Sequence, residues 1–282
     1  MTGGQHRRMA DGAVTPESAG WEFCGLRVLT LAAGESHQLA TGPDELLVVP
    51  LTGACEISTV DEGFALYGRP DVFSGPTDFA YLPPNTEARI DTADGGRFAL
   101  PSARARRTVP ALPARYGPAR DVPIELRGAG RASRQVHNLC TPDTFEADRL
   151  MVVEVITPGG NWSSYPPHKH DEHNEDELAL EEIYYFEIAG ADGVGYQRVY
   201  SSGPDRQIDV LTEVRTGDVV LIPYGYHGPS MAAPGYHMYY LNVMAGPAER
   251  AWRFTDDPAH AWIRDTWADE EIDPRLPFGE RT

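Results

Sequence analysis

Two stretches of this chain recur in the same order at nearly the same offset. Glu45-Leu-Leu-Val-Val-Pro-Leu-Thr-Gly53 matches Glu182-Ile-Tyr-Tyr-Phe-Glu-Ile-Ala-Gly190, and Asp78-Phe-Ala-Tyr-Leu-Pro83 matches Asp218-Val-Val-Leu-Ile-Pro223. One such match is unremarkable; two in order imply a duplicated unit. Short runs rich in Val, Ile, Tyr and Phe fill both units, among them 46–51, 151–156, 183–188 and 238–244, with Gly, Pro, Asp and Asn between them. Runs of that length and spacing are strands, and many in series make a sandwich or barrel. The expected fold class is therefore all-β, as two tandem β-sandwich domains whose sheets face a shared or closely apposed core. A stretch at 101–123, dense in Pro, Arg and Ala, fits no strand pattern and marks the boundary. The expected organisation is a flexible arm at 1–20, a first domain at 21–105, a linker at 106–124, a second domain at 125–254, and a C-terminal helix and tail at 255–282.

A chain of 282 residues can bury two such cores without disulfides. Acidic side chains outnumber basic ones 42 to 24, for a formal charge of −18. That charge repels phosphate backbones and anionic lipid, so neither nucleic acid nor a membrane is an expected partner. No apolar run approaches the ~20 residues of a membrane span, and the N-terminus lacks a signal core. Cys24, Cys55 and Cys140 are odd in number and widely spaced, which reads as reduced, buried thiols of a cytoplasmic protein.

The strongest chemical signal is Pro166-Pro167-His168-Lys169-His170, followed by Glu181-Glu182 and then Pro223-Tyr-Gly-Tyr-His227. Strand residues two apart share a face, so His168 and His170 point into one cavity, and Lys169, the only lysine, points out. Glu182 shares a face with Tyr184 and Phe186, and a Pro-x-Gly turn can swing His227 inward. Three imidazoles and a carboxylate suit one divalent ion per chain, Zn²⁺ first, with Mn²⁺, Fe²⁺ or Ni²⁺ as alternatives. The acidic run from Asp171 to Glu177 reads as a solvated hairpin tip. In the first unit Glu45 falls at the Glu182 position and Glu87 at the His227 position, with only His37 upstream, so that unit is expected to bind no transition metal.

These residues resemble the cupins, two-sheet β-barrels with a His-x-His, Glu and distal His set. Gly68-Arg69-Pro-Asp71-Val-Phe73-Ser-Gly75-Pro76-Thr77-Asp78, Ser133-Arg134-Gln-Val-His137-Asn138, and the stretches 149–187 and 213–244 are similar to the 5-deoxy-glucuronate isomerase family of myo-inositol breakdown. A more distant resemblance is to the 5-keto-4-deoxyuronate isomerases. The connector from His170 to Glu182 is longer than in most cupins, and the turn before His227 is one residue shorter. The resemblance implies two tandem cupin-type jelly-roll domains (a bicupin), metal ligation by His168, His170, Glu182 and His227, and conversion of 5-deoxy-D-glucuronate to 5-dehydro-2-deoxy-D-gluconate.

Such an aldose–ketose isomerisation needs a cation to stabilise an enediolate and a group to carry a proton, or a direct hydride shift, and needs neither NAD nor flavin. A substrate carboxylate approaching so acidic a chain needs local cations, for which Arg134 and Arg198 are the candidates. His137, Glu154 and Tyr239 are the candidates for proton transfer. Tyr184 is the substrate-facing aromatic candidate, and Tyr224, Tyr226 and Tyr239 are further aromatics for a polar sugar pocket. The alternatives are a cupin dioxygenase using Fe²⁺ and O₂, or a non-catalytic sugar-binding cupin. Finally, Asp256-Asp257-Pro258 reads as a helix start, with Ala259, Trp262 and Ile263 as its apolar face. That face is expected to clamp the barrels, to close the pocket mouth, or to form a homo-oligomer contact.

Overall fold

The computed structural model describes residues 6–8, 12–106 and 112–279. Its regular structure is almost entirely antiparallel strand, in two units of the same plan. In the first, the central strands run in the order Phe79–Leu82, Asp44–Thr59, Gly96–Arg104, Cys24–Leu31. In the second, Asp218–Ile222, Glu181–Ile188, Met238–Ala245 and Met151–Thr157 repeat that order. These two sheets pack face to face over one shared apolar core, in which Leu47, Val49 and Tyr81 meet Val152, Tyr185 and Leu241. Each unit closes a second core on its far side.

Strand alternation decides what reaches each layer. All eight residues of Met238–Ala245 are buried because both faces of that strand are covered. Tyr239, Leu241 and Val243 enter the core between domains, while Met238, Tyr240 and Met244 enter the second barrel. Cys24, Cys55 and Cys140 are buried free thiols. No helix among the described residues is long and apolar enough to cross a membrane.

The chain ends are more ordered than expected. Residues 1–5 and 9–11 of the arm lie outside the described residues, but Ala13–Val14 pairs with Cys24–Leu31, and Pro16–Ala19 is a helical turn with a Thr15–Ser18 capping box. His6–Arg8 adds to the second domain's sheet beside Asp218–Ile222, and Arg115–Gly117 adds to the first domain's sheet beside Phe79–Leu82. The segment before each domain thus pairs with the other domain, so the supposed linker contributes a strand. At the C-terminus the helix is only Ile263–Thr266, followed by a 3₁₀ turn at Trp267–Asp269. Asp257 Oδ1 accepts from Ala259 N at 2.9 Å, capping a turn instead of a helix, and Trp262 is 61% exposed, so the expected apolar face is not the one that packs.

Register also corrects the repeat by one residue. Leu46 pairs with Leu82, which precedes Pro83, and Glu182 pairs with Ile222, which precedes Pro223. Leu46, not Glu45, therefore holds the place of Glu182, and Glu45 corresponds to Glu181. A one-residue slip sends a side chain to the opposite face. Glu45 accordingly faces the other domain and accepts from the backbone N–H groups of Asp148, Arg149 and Leu150. Glu181 does the reciprocal, accepting from Glu22, Phe23 and Cys24.

Candidate active site

Inside the second barrel three ligand atoms converge. His170 follows the His168–Lys169 strand, Glu182 lies near the start of Glu181–Ile188, and His227 pairs with His168 across the barrel strands. Glu182 Oε2 is 3.2 Å from His170 Nε2 and 3.1 Å from His227 Nε2. All three residues are buried, and their ligand atoms lie within 4.8 Å of one another. The turn that delivers His227 depends on Gly225, whose φ is 91° and where a Cβ would fall 2.5 Å from Tyr200 O.

The donor set fits a cation. His170 Nδ1 lies 3.2 Å from Leu180 O, and His227 Nδ1 lies 3.3 Å from Gly225 O. Protons held on Nδ1 toward those carbonyls would turn both Nε2 lone pairs toward the Glu182 carboxylate, a set of acceptors that a bound cation would satisfy. His227 Nε2 is buried without a hydrogen-bond partner. Burial opposes charge on both His170 and Glu182, but their mutual contact outweighs it, raising the His170 pKa and, with His227, lowering that of Glu182. His168 stands beside this trio and outside its convergence: its ring centroid is 4.4 Å from that of His227 and 6.3 Å from that of His170. Burial, then the neighbouring imidazoles, hold its pKa well below the usual range.

His168 opens onto a cavity of ≈ 230 Å³ whose walls carry Arg127, Arg134 and Arg264. Arg127 pairs with Glu125, and Arg264 with Asp256. Arg134 has no ion pair among the described residues; its Nη1 donates to Ala132 O and Tyr165 O, and it is 5% exposed. Burial, with Arg127 nearby, lowers its pKa to about 10, which leaves it charged at neutral pH. Gly128, with φ 80°, makes room for it, since a Cβ there would lie 2.7 Å from Nη1. Tyr184 and Tyr240 also line the cavity, stacked at 4.8 Å between centroids. The C-terminal segment closes this end of the barrel: Asp256 pairs with His168, and Arg264 lies over Trp267 at 5.1 Å.

Of the other sequence candidates, His137, Glu154 and Tyr239 do come together, but on the wrong face. His137 Nδ1 is 2.9 Å from Glu154 Oε2, Tyr239 donates to Glu154 Oε1 at 2.8 Å, and Arg69 of the first domain pairs with the same carboxylate. Glu154 and Tyr239 alternate with Val153, Val155 and Tyr240, which face the barrel, so this trio points into the interface between domains. It is a buried polar joint and does not reach the cavity. Arg198 points outward and pairs with Asp209. Tyr224 and Tyr226 also turn away, the first donating to Gln207 O and the second lying against Tyr200. Lys169 points away from the imidazoles as expected, but it is buried by Asp171 and Glu177, with Nζ 2.7 Å from Glu177 Oε1. The acidic loop is thus partly folded inward, not wholly a solvated tip.

Sequence reasoning passed over Ser164, Asn242, Trp252 and Arg264, all on the cavity wall. Asn242 had a readable signal: a polar residue within an apolar strand, at the parity of Tyr240 and Met244.

Comparison with known proteins agrees with this architecture. The model of the KduI/IolB family matches residues 2–263. A 5-deoxy-glucuronate isomerase from Geobacillus thermodenitrificans is 46% identical over 256 residues, covering 90% of each chain. One from Bacillus subtilis is 40% identical over 253 residues, covering 89% of this chain and 91% of that one. An IolB-like protein from Salmonella typhimurium superposes with a TM-score of 0.86 at 39% identity, over 92% of this chain and 98% of the other. An oxalate decarboxylase from Lactobacillus farciminis superposes at 0.64 with 12% identity, over 91% and 89%, a likeness of the cupin fold alone.

Proposed function

We propose, since the chain belongs to the KduI/IolB family, that it interconverts 5-deoxy-D-glucuronate and 5-dehydro-2-deoxy-D-gluconate with the help of one divalent metal ion. That the chain is an isomerase follows from its relatives at 40–46% identity; the substrate and the metal are the proposal. One observation carries it: a triad of converging acceptors stands beside His168, which opens onto a cavity that also presents Arg134, a buried guanidinium with no carboxylate partner among the described residues. His170, Glu182 and His227 would hold the ion, with His168 as an adjacent ligand. When bound, the ion supplies Lewis acidity at a carbonyl and its neighbouring hydroxyl, stabilising enediolate charge.

The chain's own groups do the rest. Arg134 receives the substrate carboxylate, its planar fork matching two oxygens. Arg127 and Arg264, already paired, add positive potential without competing for that role, which offsets the repulsion from the chain's overall −18. Tyr184 and Ser164 present hydroxyls at the same wall, 2.9 Å apart, to orient the sugar chain. The segment carrying Trp252, Phe254, Arg264 and Trp267 screens the cavity from water, which protects an enediolate.

The test is proton NMR of the purified protein with 5-deoxy-D-glucuronate, with and without a chelator. Conversion that the chelator abolishes and a divalent ion restores is the expected result. Conversion unaffected by complete metal removal overturns the metal role, and no conversion in the metal-loaded protein overturns the substrate.

A further inference from the structure

Ser164 is the only residue besides Asn85 and the glycines with a positive φ among the described residues, at 48°. Asn tolerates that region through its short amide; serine has no such excuse, and a residue held there is strained. Strain of this kind persists where the surroundings over-determine a conformation, often because a site uses it. The surroundings here are tight: Gly228, itself at φ 103°, packs so closely that a Cβ on it would lie 1.7 Å from Ser164 O. The conformation sets the Ser164 hydroxyl 2.9 Å from that of Tyr184. Across the strand pair, Asn242 sits opposite Tyr184. Asn242 is 4% exposed, and its Oδ1 is buried with no partner. Buried amide oxygens are rarely left unpaired. All three residues line the cavity.

We infer that Ser164, Tyr184 and Asn242 form a hydroxyl-recognition wall, with the Asn242 amide and the Ser164 hydroxyl taking hydroxyl groups of a polyhydroxy acid whose carboxylate lies at Arg134. The inference rests on the function proposed above for the identity of that acid, but not for its class. A site built to hydrogen-bond a hydroxyl rejects molecules lacking it far more strongly than a shape-only pocket does, because its own polar groups are then stranded. The wall therefore sets substrate specificity, and the strain at Ser164 is retained for that purpose and not for folding.

Ser164→Gly separates these roles, because glycine accepts the left-handed backbone and removes the hydroxyl together with only its one methylene. The expected result is a melting temperature unchanged or raised by about 2–4 °C, unchanged metal content, and kcat/KM on 5-deoxy-D-glucuronate lowered about 10–100-fold. Asn242→Leu, which keeps the branching and heavy-atom count of the side chain, should lower kcat/KM by a similar factor with metal retained. D-Gluconate binding measured by calorimetry is the second readout: both variants should bind it at least about tenfold more weakly than the unaltered protein. If the unaltered protein is inert toward 5-deoxy-D-glucuronate but gluconate binding depends on both residues, the wall stands and the isomerase substrate falls. Gluconate binding and kcat/KM within twofold in both variants overturn the wall. So does a Ser164→Gly protein that loses stability and activity together, since that marks a merely structural serine.

Discussion

Where the second barrel carries Glu182, the first carries Leu46. Where the strands of the second barrel pair His168 with His227, the corresponding strands of the first pair Leu39 with Ala88. Leu39, Leu46 and Ala88 belong to the first barrel's apolar core, and among the described residues the only converging ligand cluster is that of the second. Glu87 is exposed, and Glu45 faces the other domain, so neither could substitute. Yet the outward faces of the two sheets stay alike: Glu45 and Glu181 make the same three-amide clamp in opposite directions. The duplicated units keep the face by which they hold each other and differ on the face that encloses a cavity. Fold and function thus occupy alternate residues of the same strands.

The largest effect is expected from removing what the second barrel has and the first lacks. His227→Ala should reduce metal content and lower turnover at least about 100-fold, since even partners behind metal ligands are worth 10–100-fold. Full metal retention in that variant would erase the distinction between the barrels. Next comes the joint between them. Arg69→Ala strands the buried Glu154 carboxylate and should destabilise the protein by about 3–5 kcal/mol in denaturant unfolding. The same pair predicts an acid limit. Burial would raise the Glu154 pKa, but Arg69 and His137 hold it at about 2, below its ordinary 4.5. Its contribution is therefore complete above pH 4.5 and lost as pH falls toward 2. Unfolding followed from pH 5 to pH 2 should show the unaltered protein losing stability that Arg69→Ala never had.

A smaller, sharper test concerns the reciprocal clamps. Glu45→Ala and Glu181→Ala each release three backbone N–H groups and should each cost about 2–3 kcal/mol, with metal content unchanged. Markedly unequal losses would mean that the two units do not share the interface evenly. Smallest of all, Arg198→Ala should leave KM within about twofold, because its guanidinium pairs with Asp209 on the outer surface. A tenfold rise in KM would place the substrate outside the cavity described above.

The duplication, the strand class and the residues of the converging cluster, His170, Glu182 and His227, were legible in the chain, because each rests on local pattern; His168, expected with them, stands outside that convergence. His-x-His and the Pro-x-Gly turn are short-range devices whose geometry follows from a few consecutive residues. His137, Glu154 and Tyr239 were drawn to one another correctly as chemistry, but their face could not be read. Strand parity is relative, and a one-residue error in register reverses it, as the Glu45 alignment did. Ser164 left no signal at all, since its φ is imposed by Gly228 from another strand. Arg134 and Arg198 looked equivalent as cations; only the neighbours separate them, Arg134 having no ion pair among the described residues and Arg198 pairing with Asp209.

By itself, then, the amino-acid order determined that this chain makes two β-units and that one of them carries three imidazoles and a carboxylate. Hydrophobic alternation and turn chemistry act over spans of a few residues and survive in any context. The tertiary structure decided which face of each strand becomes cavity and which becomes the joint, and so which buried charges pair and which stay free for a ligand. Those outcomes depend on contacts between residues tens to hundreds of positions apart, such as Arg69 with Glu154 and Glu45 with Leu150. Only packing the two sheets against each other brings such residues within a hydrogen bond's length.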